Sequence, residues 1–512
     1  MWDILPTEQR EEYKKMILAF ASLTEIFAQK SSSYENENKF LSPAINSKYQ
    51  ETIFQRIFNA SAEDINNTSF DVALTCKDVK YLIGIKTFCI NSNFQKIAQF
   101  KANSSDWTEI INKIKLNSLN ENKKLRDQNE INNLNLELYK ELAVKISKLR
   151  NIRMRSSEAN IQGFSVLDSS NRDNVRAVYH VLMSSRKNEE PFIYVGEMNY
   201  DEININNISV IGCTGAHTAT NFEFTDGINK YKYTSADSQL FMYFDNENII
   251  KEKWKVNYVD DAYKIFHEIA NKINLRNNNI NKFESYSWLI TNSDGEVELF
   301  SGFNSFYGVG SKIKFDDRQK RINEIKNNFT GIINENILND VIKKLNSFLL
   351  ERAYNYAGRL KKVEIRKCII NELNVSNNQE FKDAVLKLIF RPKDEIYIPI
   401  PDSRNFHEQH PDFFGKDKNF TLVFEPSGKE LRAFITQDYG KAIESYERQK
   451  YLGEWILRKV FQLRDYEPLT SERLKEIGVN GIRLEKDSGG RIHLYFIWIN
   501  LDDLPEDYIK KI

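Results

Sequence analysis

Ser69-Phe70-Asp71-Val72-Ala73-Leu74 is followed, across Thr75-Cys76-Lys77-Asp78, by Tyr81-Leu82-Ile83-Gly84-Ile85-Lys86-Thr87-Phe88. Two apolar, β-branched runs around a polar turn predict a β-hairpin. The spacing sets Asp71 and Lys86 roughly opposite each other on the paired strands. Each is a charge inside a run that otherwise reads as buried, and a buried charge is costly unless it is paired or binds a metal.

Just upstream, Ile53, Phe54, Ile57 and Phe58 recur at helical spacing, on a segment that also carries Glu51. An Asp facing an x-x-Lys on a hairpin, behind such a helix, resembles the PD-(D/E)xK nuclease core. The resemblance implies that Asp71 holds Mg²⁺ and that Lys86 positions or activates the attacking water. The acidic residue expected two positions before the lysine is Gly84 here, so the resemblance implies that Glu51 completes the metal shell. The plainer alternatives are an edge-strand ion pair for Asp71 and Lys86, and a solvated first turn for Glu51, where an acidic side chain suits the helix dipole.

Outward from the hairpin, 512 residues suggest two or three domains. No run approaches the roughly 18 apolar residues of a membrane span. Met1-Trp2-Asp3-Ile4-Leu5-Pro6 lacks a basic region leading into an apolar one, which sets the expectation of a bacterial cytoplasmic protein. The four cysteines form no CxxC pair, which argues against zinc and a disulfide framework. A net charge of zero excludes a polycationic binder but leaves room for a local footprint. The stretch from Lys145 to Lys187, with Lys148, Arg150, Arg153 and Arg155, is one such candidate. A solvated helix end explains it equally well.

Residues 1–30 read as an amphipathic helix, 105–150 as helical, and 163–245 as strand-rich. In the last of these, Ser235, Asp237, Ser238 and Gln239 are either substrate contacts or a core turn. From 318 to 390 the helical period returns, as a bridge between globular units. The last third is punctuated by prolines and short strands, such as Phe420–Phe424 and Leu431–Thr436, which suggest a small barrel or sandwich.

Within it, Arg391-Pro392, Glu395, Tyr397-Ile398-Pro399, Phe413-Phe414 and Phe420-Thr421-Leu422 follow in order, then Gln437-Asp438-Tyr439-Gly440-Lys441 and Leu452-Gly453. This order resembles the C-terminal B3-like DNA-binding domain of NgoFVII-type restriction endonucleases. The resemblance implies a pseudobarrel that grips DNA with two arms in the major groove. One arm would hold Arg404 and Asn405, the other Gln437, Lys441, Arg448 and Gln449. Arginine and lysine suit guanine edges there, and asparagine and glutamine suit adenine. That family cuts with a phospholipase D-type site built on His-x-Lys, and none of the six histidines here is followed by x-Lys. His407 and His410 read as loop or DNA-facing residues. No Gly-x-x-x-x-Gly-Lys-Ser/Thr occurs, so no ATP motor is encoded.

The combined expectation is an α+β multidomain chain: a PD-(D/E)xK-like domain over 1–317, a helical linker over 318–384 and a B3-like domain over 385–512. Its function would be that of a Type II restriction endonuclease on double-stranded DNA, with Mg²⁺ as cofactor. A cognate DNA methyltransferase would be its genetic partner, and a homodimer is left open. The competing readings are a non-catalytic DNA-binding protein with a decayed nuclease core and a modification-dependent endonuclease.

Overall fold

The computed structural model describes the chain except residues 28–39, 63–69, 78, 164–173, 273–283, 309–312, 354, 416, 447–448 and 510–512. The chain divides into two compact units, Met1–Lys282 with Lys475–Val479, and Phe283–Leu474 with Asn480–Ile512. No described helix is long and apolar enough to cross a membrane.

The first unit opens with α1 (Thr7–Ala21) and α2 (Ser47–Phe58). The Asn46 side chain caps α2 by accepting from Tyr49 N at 2.9 Å, and Asn59 ends it in the left-handed region at φ 52°. Then come β1 (Ser61–Ala62), β2 (Val72–Cys76), β3 (Val79–Cys89), β4 (Phe94–Gln99), α3 (Thr108–Asn117) and α4 (Gln128–Gln162). Asp127 caps α4, accepting from the amides of Asn129 and Glu130. The unit continues with β5 (Asn174–Ser184), β6 (Phe192–Asn199), β7 (Ser209–Cys213), β8 (Phe222–Thr225), β9 (Lys230–Thr234), β10 (Gln239–Tyr243), β11 (Ile250–Lys255) and α5 (Ala262–Lys272). One sheet has the order β1-β2-β3-β5-β6-β11 and a second the order β4-β10-β9-β8-β7.

β3 is interior to the first sheet, antiparallel to β2 and parallel to β5, which explains its unbroken apolar run from Tyr81 to Ile85. Its two faces serve different cores. Ile83 and Ile85 pack with Val72, Phe54 and Tyr13 under α1 and α2, while Leu82 packs with Tyr179, Val181 and the inner face of α4.

The second unit begins with β12 (Glu284–Leu289), followed by α6 (Phe315–Phe329), α7 (Glu335–Leu349), α8 (Tyr356–Ser376) and α9 (Gln379–Ile389). Most of this helical stretch is the expected linker between units, residues 318–384. Instead, the four helices pack on one another inside the second unit. Buried Arg366 ties them down: it donates to the carbonyls of Tyr307 and Gly308 and lies against the rings of Tyr307, Phe348 and Phe390. Then follow β13 (Ile398–Pro399), α10 (Ser403–Gln409), β14 (Asn419–Phe424), β15 (Lys429–Thr436), β16 (Ala442–Ser445), α11 (Gln449–Gly453), β17 (Gly481–Lys486) and β18 (Ile492–Ile497). Their sheet runs β12-β17-β18-β14-β15-β16-β13, with β14 and β18 parallel. This mixed sheet fits a B3-like domain. β12 pairs with β17 over Glu284–Leu289, so the unit starts well before residue 385.

Candidate nucleic-acid interface and candidate active site

The two arms expected from the sequence meet. α10 starts after Asp402, whose φ of 39° turns the chain into the helix, and it anchors through buried Phe406 against Phe413, Phe414 and Tyr286. Arg404 is left exposed on this helix and Asn405 half-buried. The second arm is the turn from Gln437 to Lys441 between β15 and β16, with left-handed backbone at Gln437 (φ 65°), Tyr439 (φ 56°) and Gly440 (φ 71°). Position 440 is glycine for two reasons, its φ and a close approach: a Cβ there would sit 2.6 Å from His407 Nε2.

The turn docks on the helix. His407 Nε2 and the Gly440 carbonyl are 2.9 Å apart, and the Arg404 guanidinium lies 4.4 Å from the Tyr439 ring centroid. The ring nitrogen donates this bond, since a carbonyl can only accept, and burial holds the His407 imidazole below its usual pKa. Gln437 donates to Glu444 at 3.0 Å, and the Lys441 ammonium is 4.0 Å from Asp438. Arg448 and the side chain of Gln449 lie outside the described residues. His410 bonds Tyr286 at 2.7 Å inside the aromatic cluster, a packing role.

In the first unit the hairpin forms, with a register that corrects the expected pairing. Val72 pairs with Ile83 and Ala73 with Leu82, so Asp71 falls opposite Gly84, and Lys86 lies two residues further along the same face. The Asp71 carboxylate accepts from the Ile85 amide. Lys86 Nζ is 6.0 Å from the Tyr179 ring centroid, Tyr179 stacks on Tyr200 at 3.9 Å, and the Arg150 guanidinium lies 5.0 Å over Tyr200. Burial raises the Tyr200 hydroxyl pKa, with the Arg150 charge opposing and the Asp71 charge adding to the rise. Asp71, Lys86 and Arg150 thus surround one tyrosine stack.

That stack occupies the place of the missing acid. A Cβ at position 84 would meet Tyr179 Cδ1 and Cε1 at 2.8 Å. Glu51 does not join Asp71 and Lys86: α2 packs on the Ile83 and Ile85 face, and Glu51 pairs with Lys48 at 3.1 Å. Among the described residues no three His, Cys, Asp or Glu side chains form a metal-binding group. Asp71 is the one candidate carboxylate brought to Lys86, so the described residues do not assemble the expected two-carboxylate Mg²⁺ site. The alternative acids Glu63 and Asp64 lie outside the described residues.

The basic stretch is largely used inside the fold. Arg150 is buried and donates to the Asp201 carbonyl; Arg153 donates to Gln99 O and Asn103 Oδ1, and burial lowers its pKa to about 10. Arg155 makes a two-bond pair with Glu202, and Lys145 pairs with Glu141. The Ser235–Gln239 run is a hairpin turn. Ser238 is buried and accepts from Tyr233, and Ser235 bonds Thr220. Two side chains to which the sequence assigns no role now stand at these sites, Tyr439 and Tyr179, while Arg150, expected in a basic footprint, lies over Tyr200 instead. A signal existed for one of them, since glycine inside a buried strand marks close approach by a neighbour.

Residues 360–488 match the family of the NgoFVII C-terminal B3-like DNA-binding domain. This segment contains both arms. No curated protein matches the chain. The C-terminal unit is therefore similar to a restriction-enzyme-associated DNA-binding domain, a similarity that supports double-stranded DNA as a partner of this unit.

Proposed function

We propose that this chain is a Type II restriction endonuclease that reads a short duplex sequence with α10 and the 437–441 turn. Hydrolysis would take place on the Asp71 and Lys86 face. The observation that carries the proposal is the family match over residues 360–488, with both arms joined on one face. Arg404, Asn405, Gln437, Lys441, Arg448 and Gln449 are the proposed groove contacts.

On the other unit, Lys86 over the π face of Tyr179 would orient the water that attacks phosphorus, while Asp71 stands beside it. The bond broken is P–O3′, which leaves 5′-phosphate and 3′-hydroxyl ends. No step is assigned to Mg²⁺, because the described donors amount to one carboxylate. With one centre per chain, a concerted cut of both strands would use two copies, so a homodimer belongs to this reading. A methyltransferase that protects the host's own sites would complete a restriction-modification system. The second reading, a DNA-binding protein without catalysis, is favoured by the tyrosine ring in the place of the second acid.

The test is incubation of the purified protein with unmethylated phage DNA, with Mg²⁺ and with a chelator. Discrete bands support the endonuclease. DNA that is retarded but intact under both conditions supports the reader alone.

A further inference from the structure

We infer that Arg404 and Tyr439 form a single recognition unit. The Tyr439 ring presets the Arg404 guanidinium as a fork for O6 and N7 of one guanine in the major groove. Tyr439 is thus a positioning residue that sets base specificity. This rests on the DNA-reading role proposed above.

Among the candidate readers, Gln437 is engaged by Glu444 and Lys441 faces Asp438. Arg404 is exposed and, among the described residues, has neither a hydrogen bond nor an ion pair, so all five of its N–H donors remain available. A free arginine loses much side-chain freedom when it is fixed on a base. Stacking on Tyr439 at 4.4 Å removes part of that freedom before DNA arrives.

Tyr439 is unusual in its own right. A bulky residue at φ 56° is strained, and with 65 % of its surface exposed the ring gains little burial in return. Strain held at an exposed aromatic tip is a mark of functional sites. The surroundings impose it: Gly440 N donates to Gln437 O at 3.0 Å, and His407 holds the Gly440 carbonyl from α10, the helix that carries Arg404. Ring and guanidinium are therefore mounted on one rigid piece. Tyr446, the other exposed tyrosine nearby, lies instead against Phe434 at 4.8 Å.

The experiment selects binding sites from a random duplex library with the full chain and its variants. Wild type should select a motif containing a guanine whose preference depends on Arg404. Arg404→Lys keeps the charge and loses the fork; it should relax that one position about tenfold or more. Tyr439→Ala should relax the same position to a similar extent, and Tyr439→Phe should leave it unchanged. If Tyr439→Ala does not fold, Tyr439→Leu, which keeps bulk without a π face, carries the same expectation. An unchanged motif for both Tyr439→Ala and Tyr439→Leu overturns the inference while the DNA-reading role stands, as does relaxation at a position other than that of Arg404→Lys. A wild-type chain that selects no motif overturns both.

Discussion

A side chain at Gly84 and the ring of Tyr179 cannot share the face on which they meet, since a Cβ on Gly84 would lie 2.8 Å from two ring carbons. Tyr179 is fully buried and stacked on Tyr200, so it has little room to yield. Gly84→Ala should therefore destabilise the chain by about 1–3 kcal/mol, the range for overpacking a filled core. Chemical denaturation of the two proteins measures this. Gly84→Asp, which would supply the acid that the nuclease resemblance expects, should be worse still, because it adds a buried charge to the same clash.

Asp71→Ala and Lys86→Ala should each abolish cleavage and leave duplex binding within a few-fold of wild type. Both residues belong to the first unit, and the proposed groove contacts belong to the second. Glu51→Ala separates the sequence expectation from the geometry. Glu51 sits on α2, across the sheet from Lys86, and pairs with Lys48. Cleavage by this variant should stay near wild type; its loss would bring α2 into the reaction.

The hairpin and the resemblance of the C-terminal unit were legible because both depend on local pattern. Apolar runs around a polar turn mark β2 and β3, and the order of proline, aromatic and glycine positions marks the C-terminal unit. Register was harder. Cys76 pairs with Val79, which puts Asp71 opposite Gly84, whereas Asp71 opposite Lys86 would need Cys76 to pair with Tyr81, and the apolar runs alone do not decide between the two. The opposite placement of Glu51 was hidden because it turns on which core α2 covers. The partners of Gly84, Tyr179 and Tyr200, lie about a hundred residues away on and after other strands. The helices from Phe315 to Ile389 have the same period whether they bridge units or pack in one. Only contacts such as Arg366 with the Tyr307 carbonyl decide it.

Acid should weaken the first unit through His180. This residue lies against Trp2 at 5.2 Å, bonds the Tyr13 hydroxyl at 3.2 Å and is fully buried. Burial, with the amino-terminal charge adding to it, holds its pKa near 3, against about 6.5 in an unfolded chain. The unfolded state thus takes up the proton first. The contribution is complete above pH 6.5 and declines as pH falls toward 3, at about 1.4 kcal/mol per unit. His180→Phe, which keeps an aromatic ring without a titrating group, should lose less stability between pH 7 and pH 4 than wild type in denaturant titrations. Equal losses would show that His180 is not the group responsible.

A fragment beginning at residue 283 should melt cooperatively, and one beginning at 385 should not. The shorter piece lacks β12, the partner of β17, and Asn304, whose side chain bonds both the amide and the carbonyl of Leu469. It also loses Arg366 and the helices packed around it. Thermal melts followed by circular dichroism compare the two fragments.

The proposed function stands or falls on sequence-specific reading of duplex DNA by the C-terminal unit. Its most direct test is the affinity of the full chain for a selected duplex and for a random one, measured across a salt series. Non-specific binding rests on phosphate contacts and weakens steeply with salt, whereas base-edge contacts separate the two duplexes. Sequence-specific reading should give a preference of about a thousandfold or more at physiological salt, reduced at least tenfold by Arg404→Ala. Equal affinities for the two duplexes at every salt concentration would contradict it.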